Sequence, residues 1–323
     1  MLQAPVCDLL GIEYPIIQAG MGPFTSAELV AAVSNAGALG SLGAAARPLE
    51  SLKEQLARIR ELTKRPFAVN HTLSPSAPDP ETFALTLAAK PRLISFALGE
   101  PGEYVRRAHD AGILVMHQVA TVQQAYRAAQ SGVDIIIAQG SEAGGYGGVV
   151  AALSLIPQVV DAVRPIPVIA AGGIADGRGL AAALTLGAQG VNVGTRFLAS
   201  IEAPISDNWK RAILAAESQD ASKVDFWADL FPASGQAYPV IPRALSSPFI
   251  EEWQNQREAV RQQADRLRGE IRAAIALGRF GELFPFAGQT AGLIRDVVPA
   301  AEIVHRLVAE AEEALKKAAA ISS

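Results

Sequence analysis

The chain has 323 residues, half of them apolar and 19% charged, a balance that supports a sizeable core and excludes a disordered chain. Its 28 Lys and Arg against 32 Asp and Glu leave a formal charge of −4, and no window interleaves basic with aromatic residues, which argues against a nucleic-acid partner. The single cysteine, Cys7, excludes an internal disulfide and a cysteine-based metal centre. No apolar run approaches the roughly 20 residues that span a bilayer, so no membrane role is expected. With no export pattern, a reducing cytoplasm is the expected compartment.

From Pro15 to about Gly194, short β-rich apolar runs alternate with amphipathic stretches, the pattern of parallel strands joined by crossover helices. Eight strands are read, over residues 15–18, 39–42, 67–70, 93–96, 113–118, 133–138, 167–170 and 190–193. Capping residues mark helix starts at Thr25 or Ser26, at Thr121 and at Asp176. Gly37, Gly112, Gly132 and Gly187 follow helix ends, where a left-handed residue is needed. The alternation predicts an α/β fold, a (β/α)8 TIM barrel.

After Phe197 the regularity stops. Residues 200–289 are read as an inserted, mainly helical lid between the last strand and the last helix, with 231–249 as loop and 251–277 helical in pattern. Residues 1–199 and 290–323 then form the barrel, and 297–317 give its displaced eighth helix. The lid aromatics Trp209, Trp227, Phe231, Tyr238 and Trp253 either line an apolar pocket or pack the insertion down, and the helical patterns around Trp209 and Trp253 favour packing.

In a parallel barrel the chemistry sits just after each strand. Those positions hold Gln18 to Gly22, Asn70 with His71, Gln118, Gln139 to Gly148, Ala171 to Ile174, and Gly194 to Arg196. Gly172 and Gly173 lack Cβ atoms, so their N–H groups can approach an anion closely, and Gly194 with Thr195 offers donors from the neighbouring turn. A phosphate fits between the two turns.

The loop from Glu142 to Gly148 is glycine-rich enough to lie flat against a planar ligand, with Tyr146 projecting over it. Glu142 is read as a hinge carboxylate bonded to loop amides rather than as a general base. His71 is the histidine placed to act on the catalytic face, with a polar loop role as the alternative. His117 alternates with Gln118 and points to the helix layer. No residue pair has metal-ligand spacing, so no metal is expected.

These motifs together resemble the nitronate monooxygenase family, formerly called 2-nitropropane dioxygenases, among the FMN-dependent barrels. The resemblance rests on Pro15 to Met21, Ala32 to Gly37, Pro66 to Asn70, Ala138 to Gly145, Ala170 to Arg178, Gly194 to Phe197 and the closing segment Phe286 to Gly292. It implies FMN as cofactor, with Ala19, Gly20 and Met21 along the isoalloxazine and Asn70 and Gln118 at its polar edge. Ala143 and Gly144 would border the ring, and Gly172, Gly173, Gly194 and Thr195 would hold the phosphate. Gln139 and Ala171, where the sixth and seventh turns begin, complete the implied set. Tyr146 stands where well-known members carry a histidine, and a phenol with an ordinary pKa near 10 is a poor base at neutral pH.

The expected activity is therefore oxidation of alkyl nitronates, or similar small anionic carbon acids, with O2. The alternatives are an NAD(P)H-dependent reductase of quinones or enoyl thioesters on the same scaffold, and a flavin-free barrel that binds a phosphometabolite. Oligomeric state stays open, a homodimer included.

Overall fold

The computed structural model describes residues 2–73, 78–232 and 241–321. Eight parallel strands form one sheet: β1 (Ile16–Gln18), β2 (Gly40–Gly43), β3 (Phe67–Thr72), β4 (Leu93–Ala97), β5 (Leu114–Val119), β6 (Ile135–Gln139), β7 (Val168–Ala171) and β8 (Gly190–Val193). Each pairs with its neighbours in sequence, and β8 returns to β1 through Ile17 opposite Asn192. The ring closes between β1 and β2 at a bridge from Ile17 to Leu39. There the Gln18 N–H donates to the Leu39 carbonyl at 2.9 Å, and the Gln18 Oε1 accepts from the Ser41 N–H at 3.0 Å. A side-chain amide thus replaces a ladder bond at the seam. The barrel expected from the sequence is the fold observed.

Local signals explain the helices between strands. Ser26 accepts from the Leu29 N–H at 3.1 Å, Thr121 from the Gln124 N–H at 3.2 Å, and Asp176 from the Arg178 and Gly179 N–H groups, so each satisfies a first-turn donor. At the other ends Gly37, Gly112, Gly132 and Gly187 all take positive φ, as a left-handed cap requires. The helix Ala300–Ile321 packs beside Gly177–Thr185 and Ala27–Asn35, the place of an eighth barrel helix. Gly177 makes that contact possible, because a Cβ there would lie 2.3 Å from the Ala311 nitrogen.

One helix was not read from the sequence. Pro5–Leu10 buries Val6, Cys7 and Leu10 against Ile17, Leu39, Leu93, Met116 and Ile135 in the barrel interior. Each aliphatic side chain so buried contributes roughly 2 kcal/mol, and together they plug the end of the barrel opposite the strand C-termini.

Beyond β8 the chain builds a second layer over the mouth. The stretch read as one helical pattern over 251–277 is divided into Pro248–Trp253, Arg257–Gln262 and Ala264–Ala276. The stretch read as loop contains the strand Ile241–Ala244. This strand is the middle of a three-stranded antiparallel sheet, between Ser222–Lys223 and Gly145–Gly147 from the loop after β6. Trp227, Trp253, Phe249, Phe280 and Phe284 form the core of this layer. Trp209 packs edge-on to Phe24 with ring centroids 4.9 Å apart. Tyr238 lies outside the described residues.

Candidate active site

Strand alternation decides which side chains enter the barrel. On β3, Phe67 and Val69 join the outer layer while Ala68 joins the interior, which turns Asn70 inward. The same rule turns Ser41, Ser95, Gln118 and Gln139 toward the mouth, and the result is a ring of hydroxyls and amides. Asn70 Nδ2 donates to Ser95 Oγ at 2.9 Å, and Gln118 Nε2 donates to Gln139 Oε1 at 3.1 Å. Ser41 Oγ is buried with no partner, an orphan that a ligand atom would satisfy. Beside it the backbone of Gly20 lies against Asn70, where a Cβ would come within 2.3 Å of the Asn70 Cβ.

His71 does not reach this ring. Consecutive with Asn70, it faces the helix layer, 2% exposed and packed against Phe83 and Phe96. Its Nε2 is 3.0 Å from Thr86 Oγ1. The Thr86 hydroxyl donates to the Thr82 carbonyl, so His71 is the donor in that pair. Burial pushes its pKa down to about 4, which leaves it neutral. The placement corrects the expectation that His71 stands on the catalytic face. His117 is buried in the same outer layer, with its pKa also pushed down to about 4.

The two final turns lie side by side because Ala171 on β7 pairs with Asn192 on β8. Gly172 and Gly173 have φ of 86° and 76°, a conformation that side chains with a Cβ resist. Gly194 precedes the one-turn helix Thr195–Leu198. Among the described residues, none of the N–H groups of Gly172, Gly173, Gly194 and Thr195 donates to another backbone group. Four donors without a backbone partner on adjacent turns suit the phosphate of a mononucleotide. Met21 and Ala19 stand at ordinary contact distance from the Gly194 Cα substituent position, 3.6 and 3.8 Å, so the first turn borders the last.

The loop after β6 is clamped from three sides. Both Glu142 carboxylate oxygens accept from the Ala152 N–H, at 3.1 and 3.0 Å, the hinge role read from the sequence. The Gln289 N–H donates to the Glu142 carbonyl at 2.9 Å. Gly144 meets the closing segment so tightly that a Cβ would lie 2.5 Å from both Ala287 C and Gly288 N. The Gly288 N–H in turn donates to Thr195 Oγ1 at 2.9 Å. Ala143, Gly144 and Thr195 are thereby fixed relative to one another by residues almost a hundred or more positions further along the chain.

Tyr146 pairs with Pro242 in the small sheet, and its ring packs edge-on to Trp227 and Phe286, with centroids 5.8 and 5.7 Å away. Burial raises its pKa above the ordinary tyrosine value, so it stays protonated. Tyr146, Gly147 and Gly148 border a cleft whose floor includes Gln118 and Gln139.

The reading from sequence omitted Ser41, Ser95, Lys223 and Arg243. Period-two alternation was sufficient to find the two serines. Nothing local marks the two cations, because a sheet between distant segments places them. Arg243 is 8% exposed and donates to the Ser141 carbonyl at 3.2 and 3.0 Å and to the Ala221 carbonyl. It ties the lid to the loop after β6.

Residues 3–85 and 76–310 match the family model described as nitronate monooxygenase. The chain belongs to the nitronate monooxygenase family. The nitronate monooxygenase of Paraburkholderia phytofirmans is 33% identical, over 96% of this chain and 95% of its own length. The (3aS,4S,5R,7aS)-5-hydroxy-7a-methyl-1-oxo-octahydro-1H-indene-4-carboxyl-CoA dehydrogenase of Mycobacterium tuberculosis is 42% identical over 67% of this chain. The matched part spans 61% of that relative's length and 64% of its Rhodococcus jostii counterpart's. Among solved structures, FabK from Thermotoga maritima is 34% identical with a TM-score of 0.89, covering 99% of this chain and 100% of its own. Nitroalkane oxidase from Streptomyces ansochromogenes is 29% identical with a TM-score of 0.79, over 97% and 99%. Membership of the nitronate monooxygenase family thus extends across both the barrel and the segment that covers its mouth.

Proposed function

We propose that this member of the nitronate monooxygenase family is an FMN-dependent oxidoreductase that oxidises alkyl nitronates, or similar small anionic carbon acids, with O2. The observation that carries this reading is the lack of an imidazole or a free carboxylate placed as a base at the mouth among the described residues. His71 and His117 face the helix layer, Glu142 is engaged by Ala152, and Tyr146 holds its proton. A substrate that reaches such a site already deprotonated needs no base, and a nitronate is such a substrate.

The donors of Gly172, Gly173, Gly194 and Thr195 would hold the FMN phosphate, and Ala19, Gly20 and Met21 would lie along its ring. Asn70, Gln118 and Gln139 would hydrogen-bond the polar edge, with Ala143, Gly144 and Ala171 bordering it. Bound there, the flavin would supply the capacity to accept electrons and pass them to oxygen. The amides would stabilise the charge that gathers at the polar edge on reduction. Tyr146, packed on Trp227 and Phe286, would back the cleft from the lid and help exclude bulk water.

The likeness to CoA-ester dehydrogenases at 42% identity supports a second reading, reduction of an enoyl thioester or a quinone by NAD(P)H on the same scaffold. Anaerobic mixing of the flavin-loaded protein separates the two. Bleaching of the flavin absorbance by propyl-2-nitronate and not by NADH or NADPH is the expected result. Rapid bleaching by a nicotinamide and none by the nitronate would replace the first reading with the second.

A further inference from the structure

The three-stranded sheet over the mouth has two faces, and its register assigns the ionisable side chains between them. Lys223, Arg243 and Gly145 share one row, and Pro242 with Tyr146 forms the next. Successive rows point to opposite sides. Tyr146 therefore joins the aromatic core of the lid, and the two cations lie on the other face. That face is turned to the barrel: Arg243 reaches the Ser141 carbonyl, and a Cβ on Gly147, two rows further along and so on the same face, would lie 3.1 Å from Gln139 Oε1 and 3.6 Å from Lys223 Nζ. Glycine at 147 leaves the ammonium and the mouth amide with no side chain between them.

Lys223 is half-buried, and its Nζ donates to the carbonyls of Gly147 at 3.2 Å and Ile241 at 3.0 Å. Both acceptors are neutral and Lys223 makes no salt bridge among the described residues, so no carboxylate contacts its ammonium directly. An ammonium has three protons, and the two carbonyls take two of them. Burial and the Arg243 guanidinium hold its pKa down to about 8, with Asp225 offsetting only part of this. It is therefore still mainly a cation at neutral pH. Holding a half-buried cation beside a like-charged neighbour is costly, and an anion in contact with it would offset that cost.

We propose that Lys223 is the cation that draws the anionic head of the substrate to the β6 end of the mouth, on the side of Gln139 and Gly147. The site then selects small planar anions over neutral molecules of the same shape. This rests on the anionic-substrate reading above and names the residue that would enforce it. Tyr146, on the opposite face of the sheet, shapes the wall and carries no part of that charge recognition.

Acetate and acetamide are near-isosteric and differ in charge, so calorimetry on the flavin-loaded protein isolates the contribution of the cation. The wild type is expected to bind acetate at least about tenfold more tightly than acetamide, Lys223→Gln to lose that preference, and Lys223→Arg to keep it within about threefold. For propyl-2-nitronate the same Gln variant should raise KM about tenfold with kcat little changed, the mark of lost ground-state binding. Equal binding of the two ligands by the wild type overturns the proposal, as does an intact acetate preference in Lys223→Gln. Should the Gln variant fail to fold, the wild-type ligand pair and Lys223→Arg still decide. An acetate preference lost in Lys223→Gln, in a protein that does not oxidise nitronates, refutes the reaction and leaves the anion site standing. Nitronate turnover with an unchanged KM in that variant does the reverse.

Discussion

Asn70 and His71 are neighbours on one barrel strand, yet Asn70 Nδ2 bonds Ser95 Oγ at 2.9 Å inside the mouth while His71 Nε2 meets Thr86 Oγ1 at 3.0 Å in the helix layer. One peptide unit separates a mouth-facing amide from a packed, neutral imidazole.

The histidines give the fold an acid limit. The pKa values of His71 and His117 are lowered from 6.5 to about 4. Between those values the unfolded chain takes up protons that the folded one refuses, so stability falls as pH drops from about 6.5 toward 4. Each histidine then costs roughly 3 kcal/mol at the acid end of that window. Urea titrations from pH 7.5 to 4.5 should show this slope, and His71→Phe should remove about half of it. The same variant should retain nitronate turnover within about threefold, since His71 is outside the mouth; loss of turnover in a folded variant would return His71 to the site.

The turn after β7, proposed to hold the phosphate, separates strain from steric clash. At Gly173 an added methyl meets nothing nearer than Glu142 Oε1 at 3.8 Å, whereas at Gly172 it comes within 2.9 Å of the Gly140 carbonyl. Gly173→Ala carries only the positive-φ cost of about 1 kcal/mol, so it should stay folded and bind FMN about tenfold more weakly. Gly172→Ala should lose both thermal stability and flavin. Flavin fluorescence quenching read beside a melting curve distinguishes the two, and unchanged FMN affinity in both variants would move the phosphate elsewhere.

Gly144 holds the lid's closing segment to the loop after β6. Its Ala variant drives a methyl to 2.5 Å from the Ala287–Gly288 peptide, a backbone contact that cannot yield by rotamer change. Limited proteolysis should cut this variant around residues 286–289 while the wild type resists, and its Tm should fall by several degrees for a loss of about 2 kcal/mol.

Tyr146 tests ring against phenol. Tyr146→Phe keeps the edge-on contacts to Trp227 and Phe286 and should retain nitronate oxidation within about tenfold, the scale of one hydrogen bond. Its pH profile should match the wild type's. Tyr146→Ala should cost about 3 kcal/mol through the cavity it leaves in the lid. A fall of several orders of magnitude in the Phe variant would make the phenol a proton-transfer group.

Period-two apolar runs, capping residues such as Ser26 and Asp176, and the glycines after helices were all legible from local pattern. They fixed the barrel because each is a short-range constraint that the backbone must satisfy wherever the segment lies. The glycines of the last two turns were legible for the same reason: positive φ at Gly172 and Gly173 is a demand on the residue itself. His71 was misplaced although the rule applied correctly to His117 applies equally to it. If Asn70 enters the mouth, its neighbour cannot.

The helix Pro5–Leu10, the three-stranded sheet and the barrel-facing cations Lys223 and Arg243 have no such local mark. Ser222–Lys223 and Ile241–Ala244 become strands by pairing, and Ile241–Ala244 also pairs with Gly145–Gly147 from the barrel. Cross-strand register alone then sends Lys223 toward Gln139 and Tyr146 toward Trp227. The amino-acid sequence determined the barrel and the places where its turns could grip a phosphate. Only tertiary pairing between segments up to a hundred residues apart decided which charged side chain would face the mouth, because the face of a strand is set by the partner that fixes its register.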